Sequence, residues 1–342
     1  MNHKNLNVTI KIPKLLKDKL KNKKINYIYK KFEKSLNINE SFAVAVSGGP
    51  DSLSLAFLAK IYSVKKNLQI KFFIVDHKLR LESTKEAKTV SKLLKEYSIK
   101  SEILTWNGKK PKKNIQSHAR IKRYDLLFKR CEKFKIRNVL LGHHQDDLFE
   151  NFFIRLLRGS GLKGLISLDR ESKIRDRNIL RPLIDLKKED LVYLSKKVFN
   201  FYVDDPSNLD EKFQRVRVRK LIDELKKNGL DKRKFFKTIQ NLKYSNNVVD
   251  FYVKENMKKN TFFSNKKNIL IINEILFTQP YEVIFRVISE SLKLVGKKYY
   301  SVRGKKLDKI IDDIKNNQLK RSRLGGCIVE KVNQSIIISK EH

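Results

Sequence analysis

The chain has 342 residues, of which 40% are hydrophobic, and it contains only 12 glycines and 6 prolines. This composition excludes a largely disordered protein and suggests two domains. No apolar run reaches the roughly 18 residues of a membrane helix, and the N-terminal residues lack the apolar segment of a signal peptide. The two cysteines, Cys131 and Cys327, form no metal or redox motif. We therefore expect a cytoplasmic protein without a membrane partner.

The charge balance is strongly positive, with 77 lysines and arginines against 37 acidic residues and a net charge of +40. Such a field attracts polyanions, and nucleic acid is the default partner. Lysine, asparagine and isoleucine are abundant throughout the chain, so a compositional bias is an alternative source of the charge. The charge alone suggests a nucleic-acid partner, but motifs are needed to distinguish nucleic-acid binding from a compositional bias.

The most informative stretch is a short apolar run that turns into a glycine-rich loop at residues 47–52 and then into a helical pattern. Phe42–Val46 is small, branched and uncharged, which is typical of a buried parallel strand. Gly48 and Gly49 allow a sharp turn and a close approach to a ligand, and the helix start that follows favours a phosphate. The alternative is an ordinary strand–turn–helix with Ser52 as its N-cap. The loop is not a Walker A loop, because the Gly-Lys-Ser/Thr ending is missing.

Further strands and helices alternate after this loop. Strands are predicted over 68–75, 103–106 and 139–141. One helix is predicted to begin at a capping box of Ser83 and Glu86, a second to span 114–134, and a third to begin near 148. This alternation predicts an α/β fold, a parallel sheet with helices on both faces. Ligands of such sheets bind at the carboxyl ends of the strands. Three polar segments each follow a predicted strand: the 47–52 loop, Asp76-His77 and His143-His144. We therefore expect all three at the same edge of the sheet.

Residues 143–147, His-His-Gln-Asp-Asp, come just before a predicted helix. The carboxylates of Asp146 and Asp147 suit Mg²⁺, which prefers oxygen ligands and often bridges to substrate phosphates. A histidine there can move a proton or donate to a phosphate. The alternative is that the aspartates cap the helix and the histidines are polar loop residues. Placement opposite the 47–52 loop favours the functional interpretation.

Basic residues cluster at three further places. Arg120 and Arg123 share one face of a predicted helix and can reach phosphate groups, although a solvated basic face is the alternative. Arg155 and Arg158 precede a flexible loop at 159–164, which is interpreted as a lid, an RNA contact or a plain connection. Three arginines lie on the helix that follows 204–208, spread over more than one face: Arg215, Arg217 and Arg219.

A domain boundary is predicted at 227–231, where Gly229 suits the end of one helix and Asp231 the start of the next. The first domain covers 1–228, with an N-terminal extension over about 1–38. The second domain, 229–342, is predicted to be smaller and mainly helical. Its helical patterns span 232–256, 280–295 and 302–315, and residues 327–332 and 335–339 form a closing hairpin.

Seven motifs occur between Ser47 and Arg219. In chain order they are Ser-Gly-Gly-x-Asp-Ser, Val-Asp-His-x-Leu-Arg, Ala-Arg-x-x-Arg-Tyr, His-His-x-Asp-Asp, Arg-Leu-x-Arg-Gly-x-Gly, Arg-Pro-Leu and Asp-x-Ser-Asn with trailing arginines. Together they resemble one family, the tRNA(Ile)-lysidine synthases of the PP-loop ATP pyrophosphatase superfamily. The chain departs from the pattern at Lys78, where glycine is common, and at Leu148, where glutamine is common. Neither change removes a group that the chemistry needs.

The resemblance implies a ligase that uses ATP to adenylate the C2 carbonyl oxygen of the wobble cytidine in tRNA(Ile) with a CAU anticodon. The amine of L-lysine then attacks C2, AMP leaves, and lysidine is formed. The second domain would bind the tRNA. The resemblance identifies no base for the lysine amine, and it is compatible with a homodimer. The implied cofactors are ATP, bound by Ser47, Gly48, Gly49, Pro50, Asp51, Ser52, Asp76 and His77, and Mg²⁺, held by Asp51, Asp146 and Asp147. The implied catalytic residues are Asp51, Arg120, His143, Asp146 and Asp147.

Two other functions compete with this interpretation. Enzymes of tRNA 2-thiolation share the phosphate loop and a similar His-His-x-Asp-Asp, but they use paired cysteines, and Cys131 and Cys327 are far apart in the chain. A nonenzymatic RNA-binding protein would keep a degenerate nucleotide fold. The presence of Asp51 and of the Asp146-Asp147 pair argues against it.

Overall fold

The computed structural model describes residues 12–80, 82–108, 115–204, 210–297 and 304–341, without the side chains of 115–117. The chain divides into two compact units, Met1–Asp231 and Lys232–His342. Residues 205–208 of the last sequence motif and the predicted helix start at 302 lie outside the described residues. None of the helices in the described segments combines the length and the apolarity needed to cross a membrane.

The first unit alternates strands and helices. Its strands are β1 (Phe42–Val46), β2 (Ile70–Asp76), β3 (Ser101–Thr105), β4 (Asn138–Leu140), β5 (Glu171–Ile174) and β6 (Arg177–Leu180). Its helices are α1 (Lys14–Lys19), α2 (Lys23–Lys34), α3 (Pro50–Lys65), α4 (Ser83–Glu96), α5 (Ile115–Lys133), α6 (Gln145–Leu156), α7 (Leu162–Leu165), α8 (Lys188–Phe199) and α9 (Gln214–Lys227).

The strands form one sheet in the order β3-β2-β1-β4-β6-β5. All neighbours pair in parallel except β5, which pairs antiparallel with β6 at the edge. The predicted parallel sheet is therefore confirmed. The edge hairpin of β5 and β6 was not predicted, because these four-residue strands are short and rich in charged residues.

Both faces of this sheet are buried, as the apolar strands predict. Successive side chains of a strand point to opposite faces, and β1 follows this rule. Val44 packs into the core formed with α2, α3, α4 and α8. Ala43 packs into the core on the other face, together with Leu127 and Cys131 of α5.

The segment that the sequence suggests as an N-terminal extension contributes to the first of these cores. Leu16, Ile28 and Phe32 are fully buried there. Asn22 caps α2 by accepting hydrogen bonds from the N–H groups of Lys24 and Ile25. Helices α1 and α2 are thus part of the first unit.

The predicted capping box of α4 is wrong. Glu82, in helical conformation, precedes the helix, and no side chain caps it. The Ser83 hydroxyl donates instead to Asp76 Oδ1 at 2.8 Å, and Glu86 accepts a hydrogen bond from Arg80 at 2.9 Å. The buried carboxylate of Asp76, at the end of β2, competes for the hydroxyl that the capping box needs.

The second unit combines helices with an antiparallel sheet. Its elements are α10 (Lys232–Lys259), β7 (Thr261–Ser264), β8 (Ile269–Asn273), a 3-10 helix (Glu274–Thr278), α11 (Tyr281–Gly296), α12 (Gly304–Lys315), β9 (Arg321–Leu324), β10 (Cys327–Val332) and β11 (Ser335–Lys340). The sheet order is β7-β8-β11-β10-β9. The predicted closing hairpin is confirmed as β10 and β11, whose register pairs Val332 with Ser335. The other three strands were not predicted.

Candidate active site

The turn after β1 requires a glycine at position 48. Gly48 has a φ of +89°, and a Cβ there would lie 2.7 Å from Val90 Cγ2 and 2.9 Å from Val203 Cγ2. Its carbonyl accepts a hydrogen bond from the N–H of Val203 at 3.0 Å. Only glycine suits both the backbone conformation and the space.

Ser52 holds the 47–52 loop from the inside. Its hydroxyl accepts from the N–H groups of Ser47 and Gly48, both at 3.1 Å, and donates to the carbonyl of Gly49 at 3.0 Å. Gly49, and not Ser52, is the N-cap residue of α3, and Pro50 occupies the first helical position. The N–H of Gly48 therefore already has an acceptor. The first-turn N–H groups of α3, which have no acceptor within the helix, remain as the donors that suit a phosphate.

Gly142 brings the 143–147 segment against this loop. A Cβ at Gly142 would lie 3.2 Å from the backbone carbon of Asp51 and 3.2 Å from the backbone nitrogen of Ser52. The two segments therefore meet at the start of α3, at the carboxyl ends of β1 and β4.

His144 and Asp147 cap α6 reciprocally. His144 Nδ1 accepts from the N–H of Asp146 at 3.2 Å, and Asp147 Oδ2 accepts from the N–H of His144 at 2.9 Å. Because Nδ1 accepts, Nε2 carries the ring hydrogen. That Nε2 lies 3.7 Å from Asp51 Oδ2 and 3.6 Å from Asp147 Oδ2. The imidazole thus lies between two carboxylates. Asp147 therefore caps α6 and also belongs to the site.

Burial changes the protonation of this segment. Burial lowers the pKa of His143 far below its usual value, and the nearby Arg181 and Arg215 act in the same direction against Asp147. Burial raises the pKa of Asp147, but His144 and His143 outweigh this effect and the net pKa is lowered. At neutral pH His143 is therefore neutral and Asp147 is ionised.

Asp51 has a partner that the sequence did not suggest. Lys188 Nζ donates to Asp51 Oδ1 at 2.8 Å and to Oδ2 at 2.6 Å. Lys188 is the first residue of α8, and this helix packs on α3, where the Ser54 hydroxyl donates to the carbonyl of Leu191 at 2.8 Å. The ion pair depends on this helix packing, so it had no local signal in the sequence.

Asp76 is the last residue of β2 and His77 follows it, and the two side chains lie in different environments. Asp76 is 2% exposed, and its carboxylate accepts from the Lys78 N–H and from the hydroxyls of Ser83 and Thr84. Burial raises its pKa, but these hydrogen bonds outweigh it and the net pKa is lowered. Burial lowers the pKa of His77, and Arg123 lowers it further. Asp76 therefore organises the turn, whereas His77 lies beside a cation.

The predicted arginine pair of α5 is split between two environments. Arg120 is exposed, whereas Arg123 is half-buried and close enough to His77 and His143 to lower their pKa. Arg123 Nε and the Nδ1 atoms of both histidines are buried without a hydrogen-bond partner among the described residues. Arg123 is therefore the arginine of α5 with an unsatisfied donor next to the polar strand ends.

Glu150 adds a carboxylate that the sequence analysis missed. It is 3% exposed and accepts from Arg219 Nε at 2.6 Å. Burial raises its pKa above the usual value, and the ion pair with Arg219 only partly opposes this. Glu150 lies three residues after Asp147 on α6, so the two carboxylates share one face of the helix. This spacing was the available signal.

The comparisons with known proteins agree with these motifs. A family model described as a PP-loop domain matches residues 18–225. The chain is 36% identical over 320 residues to tRNA(Ile)-lysidine synthase of Orientia tsutsugamushi (strain Boryong), covering 89% of this chain and 70% of that protein. It is 31% identical over 311 residues to tRNA(Ile)-lysidine synthase of Wolbachia sp. subsp. Brugia malayi (strain TRS), with shares of 89% and 71%. The chain belongs to the tRNA(Ile)-lysidine synthase family.

A solved structure shows the same fold in a different enzyme. The U34-tRNA thiolase NcsA from Methanococcus maripaludis, with its [4Fe-4S] cluster, matches with a TM-score of 0.56 at 19% identity, covering 65% of this chain and 78% of that one. In the present chain, Cys131 of α5 is buried in the core between this helix and the sheet, and burial raises its pKa to about 11. Cys327 is buried in the second unit and donates to the carbonyl of Leu292 at 3.4 Å.

The departure from the lysidine synthase pattern at Lys78 has a backbone explanation. Lys78 has a φ of +50°, in the left-handed region that glycine adopts most easily. Its N–H donates to Asp76 Oδ1 at 2.9 Å, and its ammonium donates to Asn107 Oδ1 at 3.1 Å. The turn therefore keeps the shape that a glycine would give it, at the cost of a strained residue.

The carboxylates meet the chemical requirements of Mg²⁺ only in part. Within the described segments no three His, Cys, Asp or Glu side chains come together as metal ligands. Mg²⁺ bound with a nucleotide needs only one or two carboxylates, because phosphates and water supply the other ligands. Asp51 and Asp147, both within 4 Å of His144 Nε2, fit that smaller requirement.

Proposed function

We propose that this protein ligates L-lysine to C2 of the wobble cytidine in tRNA(Ile) with a CAU anticodon, and that ATP is converted to AMP and pyrophosphate. The observation that carries the proposal is the contact between Gly142 and the backbone of Asp51. It joins a phosphate-binding helix start to the histidines and carboxylates of the 143–147 segment. Family membership supports the same reaction.

ATP binds with its β- and γ-phosphates at the start of α3. The loop of Ser47, Gly48 and Gly49, held by Ser52, presents the positive end of the helix to the leaving pyrophosphate. His77 borders the adenosine. Asp76 acts indirectly, because its carboxylate already accepts three hydrogen bonds within the turn.

Mg²⁺ would be held by Asp51 together with Asp147 or Asp146. When bound, it offsets the negative charge that builds up on the phosphates. His144, between Asp51 and Asp147, keeps the two carboxylates oriented.

The α-phosphate lies near Arg123 and His143, with Arg120 at the exposed side. Their unsatisfied nitrogens suit the charge that develops on this phosphate. His143 donates a hydrogen bond as a neutral imidazole, because burial keeps its pKa low. The cytidine oxygen attacks the α-phosphorus, and the bridging oxygen leaves with pyrophosphate.

Glu150 is the group that we assign to the amine of lysine. An ammonium must lose a proton before it attacks C2, and a carboxylate with a raised pKa is a better base than an exposed one. Glu150 is buried and its pKa is raised. Its pairing with Arg219 orients the carboxylate.

The second unit offers a basic groove to tRNA. A groove of about 480 Å³ runs between α12 and β9, and its lining contains five cations and one carboxylate: Lys306, Lys309, Lys320, Arg321 and Arg323, with Asp313. Such a lining suits the phosphates of a folded RNA. A tRNA substrate also supports a cytoplasmic location.

The competing functions have less support. Cys131 and Cys327 are both buried, and burial raises the pKa of Cys131 to about 11. Reactive cysteines are exposed and have a low pKa, so these thiols argue against thiolation. A nonenzymatic RNA-binding protein has no use for the ion-paired Asp51 and the buried Asp147 at a helix start.

The test of the reaction class is AMP formation from ATP and Mg²⁺ with an unmodified CAU-anticodon transcript. A transcript with uridine at the wobble position is the control. AMP and pyrophosphate that appear only with the cytidine transcript would support adenylation of that base. Binding of both transcripts without AMP would favour the RNA-binding alternative.

A further inference from the structure

Lys188 has no role in the proposed function so far, although it contacts a central residue of the site. Its ammonium donates to both oxygens of Asp51, at 2.8 Å and 2.6 Å. The side chain is 36% exposed and that of Asp51 is 23% exposed. The ammonium is therefore held at the start of α3 and is still open to a ligand.

The position of Lys188 is unfavourable for its own helix. A cation in the first turn faces the positive end of the helix dipole, where acidic residues are preferred. The other first-turn residues of α8, Glu189 and Asp190, follow the preference, and Asp190 pairs with Lys24 at 3.1 Å. A residue that breaks a local rule at a site is a candidate for function.

We propose that Lys188 is a pyrophosphate-binding residue, which holds Asp51 in the free enzyme and moves to the β- and γ-phosphates when ATP is bound. This inference rests on the proposed adenylation of the substrate. Two cations cannot both lie against the Asp51 carboxylate without strong repulsion. With a divalent cation on Asp51, the Lys188 ammonium would be repelled from this carboxylate, and the phosphates of the nucleotide would be its new anionic partner.

Negative charge develops on the leaving pyrophosphate during the reaction, and Lys188 can stabilise it. A bond forms between the cytidine oxygen and the α-phosphorus, and the bond between the α-phosphorus and the bridging oxygen breaks. The electron pair of that bond stays on the leaving pyrophosphate. The ammonium donates hydrogen bonds to this growing charge, and such charge-assisted bonds are the strong ones.

The experiment measures the affinity for inorganic pyrophosphate by calorimetry, with and without Mg²⁺. Lys188→Met should weaken pyrophosphate binding by about tenfold to a hundredfold, the effect of losing one charge-assisted hydrogen bond. AMP has no β-phosphate, so the affinity of the Lys188→Met variant for AMP should equal that of the wild type. Lys188→Arg should retain most of the binding. Lys187→Met, which removes the neighbouring exposed lysine, is the matched control and should behave as the wild type.

A second background separates phosphate binding from mere positioning of Asp51. If Lys188 only holds Asp51, then Lys188→Met should have no effect on pyrophosphate affinity in an Asp51→Asn protein. We expect a loss of similar size in both backgrounds. Unchanged pyrophosphate affinity in Lys188→Met, or an effect that vanishes in the Asp51→Asn background, would overturn the assignment. A wild type that binds pyrophosphate but never labels tRNA with lysine would instead overturn the proposed substrate and leave Lys188 in place.

Discussion

Gly142 lies so close to Asp51 that a Cβ on the glycine would be 3.2 Å from the backbone carbon of the aspartate. This contact joins the carboxyl ends of β1 and β4 and sets the distance between the 47–52 loop and the 143–147 segment. The geometry of the whole candidate site therefore depends on a position that carries no functional group.

Gly142→Ala should push these segments apart and reduce ATP-dependent AMP formation. Overpacking of this kind costs about 1–3 kcal/mol in stability, so the protein should remain folded. The rate of AMP formation and the melting temperature together check this. Gly304→Ala, where the nearest atom lies 3.9 Å from the added Cβ, is the control. Equal activity of the two variants would mean that the spacing is not critical.

Asp51→Asn should stop AMP formation and leave tRNA binding nearly intact. The amide keeps the shape of the side chain but removes the charge that a metal ion and Lys188 require. Steady-state AMP release and filter binding of tRNA are the measurements. Normal turnover in this variant would remove Asp51 from the metal site.

Glu150→Gln should separate the two halves of the reaction. Adenylation does not need a base on α6, so AMP bound to tRNA should still form, whereas lysine transfer should fall by about a hundredfold or more. Single-turnover assays with and without lysine distinguish the steps. Glu224→Gln, an exposed residue of α9, serves as control. A variant that transfers lysine normally would exclude Glu150 as the base.

The protonation of His143 predicts a pH dependence of stability. Its pKa in the folded protein lies well below the unfolded value of about 6.5. Between these two values the unfolded chain binds a proton and the folded chain does not, so stability falls as the pH drops below about 6.5. His143→Gln should show a shallower loss of unfolding free energy between pH 7 and pH 5. Identical slopes for both proteins would contradict the assignment.

The basic groove predicts a salt-dependent contribution of the second unit to tRNA binding. The double variant Lys306→Ala and Lys309→Ala should weaken tRNA binding and lower the slope of affinity against salt by about one to two units. Its affinity for ATP should not change. Lys266→Ala with Lys267→Ala removes two exposed lysines outside the groove. If both pairs have the same effect, the charge acts as a general field.

The sequence predicted the elements whose signal is local. The apolar run of β1 and the glycine turn at 48–49 placed one half of the site, and the strand before His143 placed the other half. It missed the Lys188–Asp51 and Glu150–Arg219 pairs, because each joins residues that are far apart in the chain. Strands β7 and β9 were missed for a related reason, since four-residue strands have too short a pattern and depend on their neighbours.

The most direct test of the account is labelling of tRNA with isotopic lysine. An unmodified tRNA(Ile) transcript with a CAU anticodon is incubated with the enzyme and labelled lysine, with and without ATP and Mg²⁺. The proposed ligation predicts label at the wobble cytidine only when ATP and Mg²⁺ are present, with AMP and pyrophosphate released. AMP formation on the tRNA without label would contradict lysine as the nucleophile, and the absence of both would contradict the proposed reaction.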